Sequence, residues 1–160
     1  MPAMFITVER TPEGVRMIDQ RVLPGEEAYL LFREPEEVAQ AIRDMVVRGA
    51  PAIGVSAAFG LALGASLASG LPTESFRRRM EQLFQLFADA RPTAVNLFWA
   101  IEKVREAMEA GLAAGREPLE IAGQIEILAQ AAHDDDLESC RAIGRFGAGV
   151  VPDDGTVLTH

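Results

Sequence analysis

Between Pro51 and Ser69 the chain carries an apolar run dominated by small residues, among them Ala52, Gly54, Ala57, Ala58, Gly60, Ala62, Gly64 and Ala65. A helix of that composition lets neighbouring backbones approach closely, so the run is expected to be the buried central helix of the fold. What precedes it is equally constraining. Arg48-Gly49-Ala50 stands directly before Pro51, and proline suits the first helical position because the N–H it lacks would have no partner there. The first N–H groups of a helix carry the positive end of the helix dipole and stabilise an anion beside them. Gly49 and Ala50 leave room for a ligand to reach the main chain, and Arg48 adds a guanidinium fork suited to phosphate. A second copy of the device is expected at Ala90-Arg91-Pro92-Thr93, where Pro92 would open another helix. Two helix openings, each behind an arginine, predict an anion pocket.

Such an anion must be held locally. Lys and Arg number 15 against 24 Asp and Glu, so the net charge of −9 gives an overall field that repels nucleic acid and anionic lipid. No nucleic-acid or membrane partner is expected. Cys140 is the one cysteine, so no internal disulfide can form and a reducing cytoplasm is the expected compartment. The first residues lack the basic start and apolar core of a signal peptide. Leu61 to Leu71 is apolar but interrupted by Gly64, Ser66, Ser69 and Gly70, and is not read as a membrane span.

The opening thirty residues read as β: Phe5–Val8 and Val15–Ile18 flank the turn Thr11-Pro12-Glu13-Gly14, and Ala28–Phe32 is a third strand. Helical spacing begins at Pro35, with Val38, Ala39, Ile42, Met45 and Val46 on one face and a stop at Arg48-Gly49. After the central helix, Thr73 is expected to N-cap a helix whose Phe76, Met80, Leu83, Phe84 and Phe87 form an apolar stripe. A fourth helix is expected from Pro92 to Ala110 with Gly111 as its C′ residue, and a fifth from Pro118 with Ile121, Ile125, Leu128 and Ala132 inward. A sixth would start at Asp134-Asp135-Asp136 and run toward Gly147. From Val150 the character changes to a turn and the short apolar run Thr156–His160, which reads as the first strand of a parallel sheet. The expected fold class is α+β: a small antiparallel sheet followed by a helical bundle over residues 1–149. Residues 150–160 would begin a truncated Rossmann-like α/β domain.

Four strings occur here in one order: Arg48-Gly49-Ala50-Pro51-Ala52-Ile53-Gly54, then Arg91-Pro92-Thr93-Ala94-Val95-Asn96-Leu97 with Trp99-Ala100, then Arg141-Ala142-Ile143-Gly144, then Asp154-Gly155 with Leu158-Thr159-His160. Together with Asp19-Gln20-Arg21 and Leu23-Pro24 they resemble methylthioribose-1-phosphate isomerases over nearly the whole chain. Such enzymes share their fold with the regulatory subunits of the nucleotide-exchange factor for translation initiation. The resemblance implies an aldose–ketose isomerase of methionine salvage, needing neither metal nor organic cofactor and dimeric at full length. It implies substrate contacts at Arg48, Gly49, Ala50 and Arg91. It also places the catalytic pair, a cysteine directly after a Thr-His pair and a later aspartate, beyond His160, so this polypeptide alone is expected to be inactive. The alternative is a non-catalytic subunit of the same superfamily that senses a sugar phosphate or nucleotide.

Other candidates have plainer readings. Cys140 falls within a helix with no paired histidine and is expected to be a small core residue. His133 with Asp134, Asp135 and Asp136 could be drawn as a metal cluster, but consecutive acids at a helix start are more simply caps. Trp99, with Val95, Phe98 and Met108, is expected in the core, with contact to the methylthio group as a secondary reading. Arg77, Arg78 and Arg79 are expected to be solvated opposite the phenylalanine stripe.

Overall fold

The computed structural model describes residues 5–158, which form a three-stranded sheet lying on a helical bundle. In chain order the elements are β1 (Val8–Thr11), β2 (Gly14–Ile18), β3 (Tyr29–Phe32), α1 (Pro35–Arg43), α2 (Ala50–Ala68), α3 (Thr73–Ala88), α4 (Val95–Ala113) and α5 (Pro118–Ala148). The expected α+β class, sheet first and helices after, is the observed one. The sheet is antiparallel in the order β1-β2-β3. Pairing of Thr11 with Gly14 leaves Pro12-Glu13 as a two-residue turn, and this register starts β1 at Val8 rather than at Phe5.

α2 is the central helix, in contact with all four other helices and with β1 and β2. Among the described residues it is the one helix long and apolar enough to cross a membrane, and 72% of that window is buried inside the protein. Its glycines explain how so many elements fit around it. A Cβ on Gly54 would stand 2.9 Å from the Asn96 carbonyl oxygen of α4. On Gly60 it would meet Phe87 of α3 at 2.5 Å and Val38 of α1 at 2.8 Å, and on Gly64 it would collide with Leu83. The α3 stripe of Phe76, Met80, Leu83, Phe84 and Phe87 is fully buried as expected, each large side chain contributing about 2–3 kcal/mol of hydrophobic stabilisation.

Several element ends differ from the sequence reading, each for a local reason. α1 stops at Arg43 because Met45 turns left-handed (φ 57°), with its N–H bonded to the Ile42 carbonyl and that of Val46 to the Ala41 carbonyl. This is a Schellman motif with methionine at C′, so Met45 leaves the apolar face and is half-exposed, while Val46 and Val47 are buried. Pro72, not Thr73, is the N-cap of α3. Pro92 does not open α4. It sits second in the turn Arg91–Ala94, closed by the Ala94 N–H to the Arg91 carbonyl at 3.0 Å, a position its fixed φ favours. α4 runs past Gly111 to Ala113, and the C′ glycine is Gly115 (φ 69°). Gly111 instead admits α5, since a Cβ there would lie 2.7 Å from Ile121.

The expected fifth and sixth helices are one. No proline or glycine occurs between Gly123 and Gly144, so nothing breaks α5 at Asp134-Asp135-Asp136, which lie mid-helix and cap nothing. Every buried residue of α5 lies between Pro118 and Ala129; its outer half leaves Ile143 and Phe146 exposed. Residues 156–158 form no strand, and Thr159 and His160, the rest of the expected strand, lie outside the described residues.

Close packing and helix propensity give opposite signs for two glycine substitutions. Gly123 has open space around it, so Gly123→Ala is expected to raise stability by about 0.5–1 kcal/mol. In Gly54→Ala the same gain is outweighed by overpacking of about 1–3 kcal/mol against the α4 backbone, and the melting temperature should fall. Thermal denaturation of both variants checks the pair; a rise in both would mean that α2 and α4 are not held this close.

Candidate functional site

The two helix openings that the sequence singled out lie side by side. Gly54, in the first turns of α2, packs on Asn96 at the start of α4, and between them runs a cleft of about 470 Å³. Pro51, Gly54 and Val55 line it from α2, Val95, Asn96 and Trp99 from α4, and Ala132, Asp135, Asp136 and Ser139 from α5. Neither predicted arginine is part of the lining. Arg48 and Gly49 stand exposed just ahead of the α2 opening, and half-buried Arg91 begins the turn that leads into α4.

The Arg48 segment is held in a defined shape. Leaving the Schellman turn at Met45, the chain drops Val46 and Val47 into the core and then reverses at Gly49, whose φ of 98° is one that a side chain resists. Gly49 is the N-cap of α2, and its carbonyl accepts the first helical hydrogen bond, from Ile53. The strand-to-strand loop containing Asp19-Gln20-Arg21 clasps this segment. The Gln20 N–H donates to the Val46 carbonyl, the Arg48 N–H donates to Gln20 Oε1 at 2.9 Å, and Arg48 Nη2 donates to the Gln20 carbonyl at 2.8 Å.

Charge is distributed unevenly among the helix ends. α1 and α5 carry capping boxes, Glu34 with Glu37 and Glu117 with Glu120, and α3 has Glu74 in its first turn. α2 and α4 have neither a side-chain cap nor an acid there. Among the described residues neither Arg48 nor Arg91 has a carboxylate partner, although Arg77 and Arg79 do: they bind Glu109 and Glu36, fastening α3 to α4 and α1 rather than standing merely solvated. The positive ends of α2 and α4 are thus left uncompensated at the mouth of the cleft, while Asp135 and Asp136 put negative charge on the opposite wall. Such a cleft accepts an anion at one end and hydrogen-bond donors, such as hydroxyls, at the other.

Other residues are placed differently from expectation. Trp99 is 52% exposed and lines the cleft instead of the core, with Val95 and Phe98 exposed beside it; Met108 is buried as expected. Cys140 is exposed, beside a second hollow of about 430 Å³ that it shares with Ile6, Val55, His133 and Leu137, in the half of α5 beyond its last fully buried residue, Ala129. His133 bonds Asp134, whose carboxyl is held below its ordinary pKa by that hydrogen bond and by Gln130. Among the described residues no group of three or more His, Cys, Asp or Glu is arranged to hold a metal ion. Sequence reasoning missed the α5 wall, having assigned its acids to a cap, and gave Gln20 no role. The pattern that would have found the wall is the unbroken helical stretch through Asp134–Asp136.

Asp19 is only 6% exposed, yet its pKa is lowered from 3.8, because Arg21 donates to both carboxylate oxygens and these bonds outweigh the burial that pushes the other way. The fold therefore favours the ionised form. That contribution is complete above the ordinary carboxylate pKa and disappears as pH falls through the lower, folded-state value. In melts between pH 7 and 2, the stability gap between the protein and Asp19→Asn should be constant down to about pH 4 and then close. A gap unaltered at pH 2 would contradict this.

Comparison with known proteins gives consistent results. The chain is 48% identical over 157 residues to the methylthioribose-1-phosphate isomerase of Geobacter sulfurreducens, covering 98% of this chain and 44% of that protein. It superimposes on 5-methylthioribose 1-phosphate isomerase from Pyrococcus horikoshii OT3 with a TM-score of 0.88 at 40% identity, covering 94% of this chain and 42% of that one. The translation initiation factor eIF-2B, subunit delta, from A. fulgidus matches with a TM-score of 0.82 at 31% identity, covering 94% and 43%. The chain thus spans less than half the length of the relatives it matches. The expected resemblance to methylthioribose-1-phosphate isomerases is borne out, and residues 46–160 match the model of the Initiation factor 2 subunit family, to which this chain belongs.

Proposed function

We propose that this chain is the N-terminal part of an aldose–ketose isomerase that converts 5-methylthioribose 1-phosphate to 5-methylthioribulose 1-phosphate, and that it supplies the phosphate-side contacts. The observation that carries this reading is the pair of uncapped, acid-free helix openings at one cleft, each preceded by an arginine without a carboxylate partner. Support comes also from the relatives named for this reaction at 42–48% identity.

The roles follow from the chemistry of the substrate. Its anomeric carbon bears phosphate, so no free aldehyde exists and the furanose must open before hydrogen moves between C1 and C2. Opening requires a proton donor in a shielded place. Arg48, the Gly49 and Ala50 main chain and Arg91 would hold the phosphate, supplying orientation and binding energy remote from the reacting carbons. Asp135, Asp136 and Ser139 are placed to accept or share hydrogen bonds with ribose hydroxyls, and Trp99 with Val95 offers an apolar surface to the methylthio group. The resemblance puts the catalytic cysteine and aspartate after residue 160, in a Rossmann-like domain that residues 150–160 would begin. It also makes the complete enzyme a cytoplasmic homodimer that needs no cofactor.

Calorimetric titration with 5-methylthioribose 1-phosphate tests the reading. The 160-residue chain should bind without turnover. Because Arg48 is exposed, replacing either arginine by alanine should cost about 1.5–3 kcal/mol, the value of one charge-assisted hydrogen bond, rather than the larger penalty of a desolvated pair. Equal affinity in the protein, Arg48→Ala and Arg91→Ala would remove the assignment.

A further inference from the structure

We propose that Gln20 is a positioning residue: it holds the Arg48-Gly49-Ala50 segment in the shape that receives the anion, without touching the anion itself. This inference rests on the site reading above. Three hydrogen bonds converge on this one residue across 26 and 28 positions of sequence, from its N–H to the Val46 carbonyl at 2.9 Å, from the Arg48 N–H to its Oε1 at 2.9 Å, and from Arg48 Nη2 to its carbonyl at 2.8 Å.

Their arrangement is specific to a preorganised loop. The segment between α1 and α2 contains two left-handed residues, Met45 and Gly49, with Arg48 exposed between the core-anchored Val47 and the Gly49 reversal. Nothing in the segment's own helices constrains Arg48. Its backbone N–H, which would otherwise compete for a bound anion or for water, is taken by Gln20 Oε1, and one guanidinium nitrogen is turned toward the Gln20 carbonyl. The remaining guanidinium donors stay available and carry the full charge, because a carboxamide and a carbonyl accept hydrogen bonds without neutralising it. A carboxylate in the same place would do so.

Gln20 is itself fixed on its other side. The Asp19 N–H donates to the Ala28 carbonyl at 2.8 Å, and the Asp19 carboxylate binds the Arg21 N–H at 3.0 Å and its guanidinium at 2.8 and 2.7 Å. The loop bearing Gln20 is therefore a rigid clamp rather than a loose flank, and side chains that orient a binding group need this kind of support.

Two measurements on the 160-residue chain decide the matter, with Gln20→Met removing the acceptor at nearly constant length and Gln20→Glu keeping it. Amide hydrogen exchange at Arg48 should accelerate in Gln20→Met and stay slow in Gln20→Glu. Titration with 5-methylthioribose 1-phosphate, followed by NMR, should show binding up to about tenfold weaker in Gln20→Met, the equivalent of one lost hydrogen bond. In Gln20→Glu binding should also weaken, although the amide stays protected, because the added charge neutralises Arg48. That split is one a purely structural role would not produce. Unchanged exchange in Gln20→Met, or faster exchange with unchanged affinity, overturns the proposal. If Arg48→Ala binds as well as the parent chain, the site reading has failed and the positioning role falls with it; if only Gln20→Met matches the parent, the positioning role alone has failed.

Discussion

Close approach to the α2 backbone, made possible by missing side chains, is the constraint from which the rest of this fold follows. α2 can be surrounded on every side only because Gly54, Gly60 and Gly64 present no Cβ to Asn96, Phe87, Val38 and Leu83. Small residues give up hydrophobic area of their own and recover it through the larger side chains that they admit. The phenylalanines of α3 are buried because α2 leaves them room. The close approach at Gly54 has a second effect, since it brings the beginnings of α2 and α4 together and so places two helix dipoles at one cleft.

Charge placement at the two helix openings beside that cleft runs against that of the molecule as a whole. A chain with nine excess negative charges has acids to spare for helix starts, and places them in the first turns of α1, α3 and α5. Their absence from the first turns of α2 and α4 is a local exception, and it coincides with the two arginines that lack carboxylate partners. Hydrogen-bond acceptors near Arg48 are neutral ones, so the segment is oriented without its charge being consumed. Burial and charge thus do separate jobs here: packing sets where the helix ends lie, and the omission of acids sets what they attract.

Much of this was legible in the sequence, and the failures share a cause. The three strands, the sheet-then-helices arrangement, the central position of α2 and the burial of the α3 stripe all depend on periodicity and composition over many residues, where the signal accumulates. Element ends depend on single residues whose behaviour has more than one local solution. Pro92 fits a turn as well as a helix start, and Met45 occupies a left-handed C′ position that composition assigns to glycine, with Val46 and Val47 buried as the compensation. Three aspartates in a row look like a cap until the absence of any breaker around them is given equal weight. The arginines were found because each precedes a proline, although Pro51 is the second residue of α2 rather than the first and Pro92 lies outside α4. The contacts of Gln20 were invisible because its partners Val46 and Arg48 lie 26 and 28 positions away, and only the fold brings them together.

α5 spans 31 residues, about 46 Å at the rise of an α-helix, yet its fully buried residues end at Ala129, with His133 one turn on still packed against Phe59. Ala132, Asp135, Asp136 and Ser139 come after that point, so one side of the cleft is carried on the more exposed half of the helix. The free end bears exposed Ile143 and Phe146. A helix this long outruns its own core, and the apolar side chains at its far end are presented to whatever surrounds the bundle.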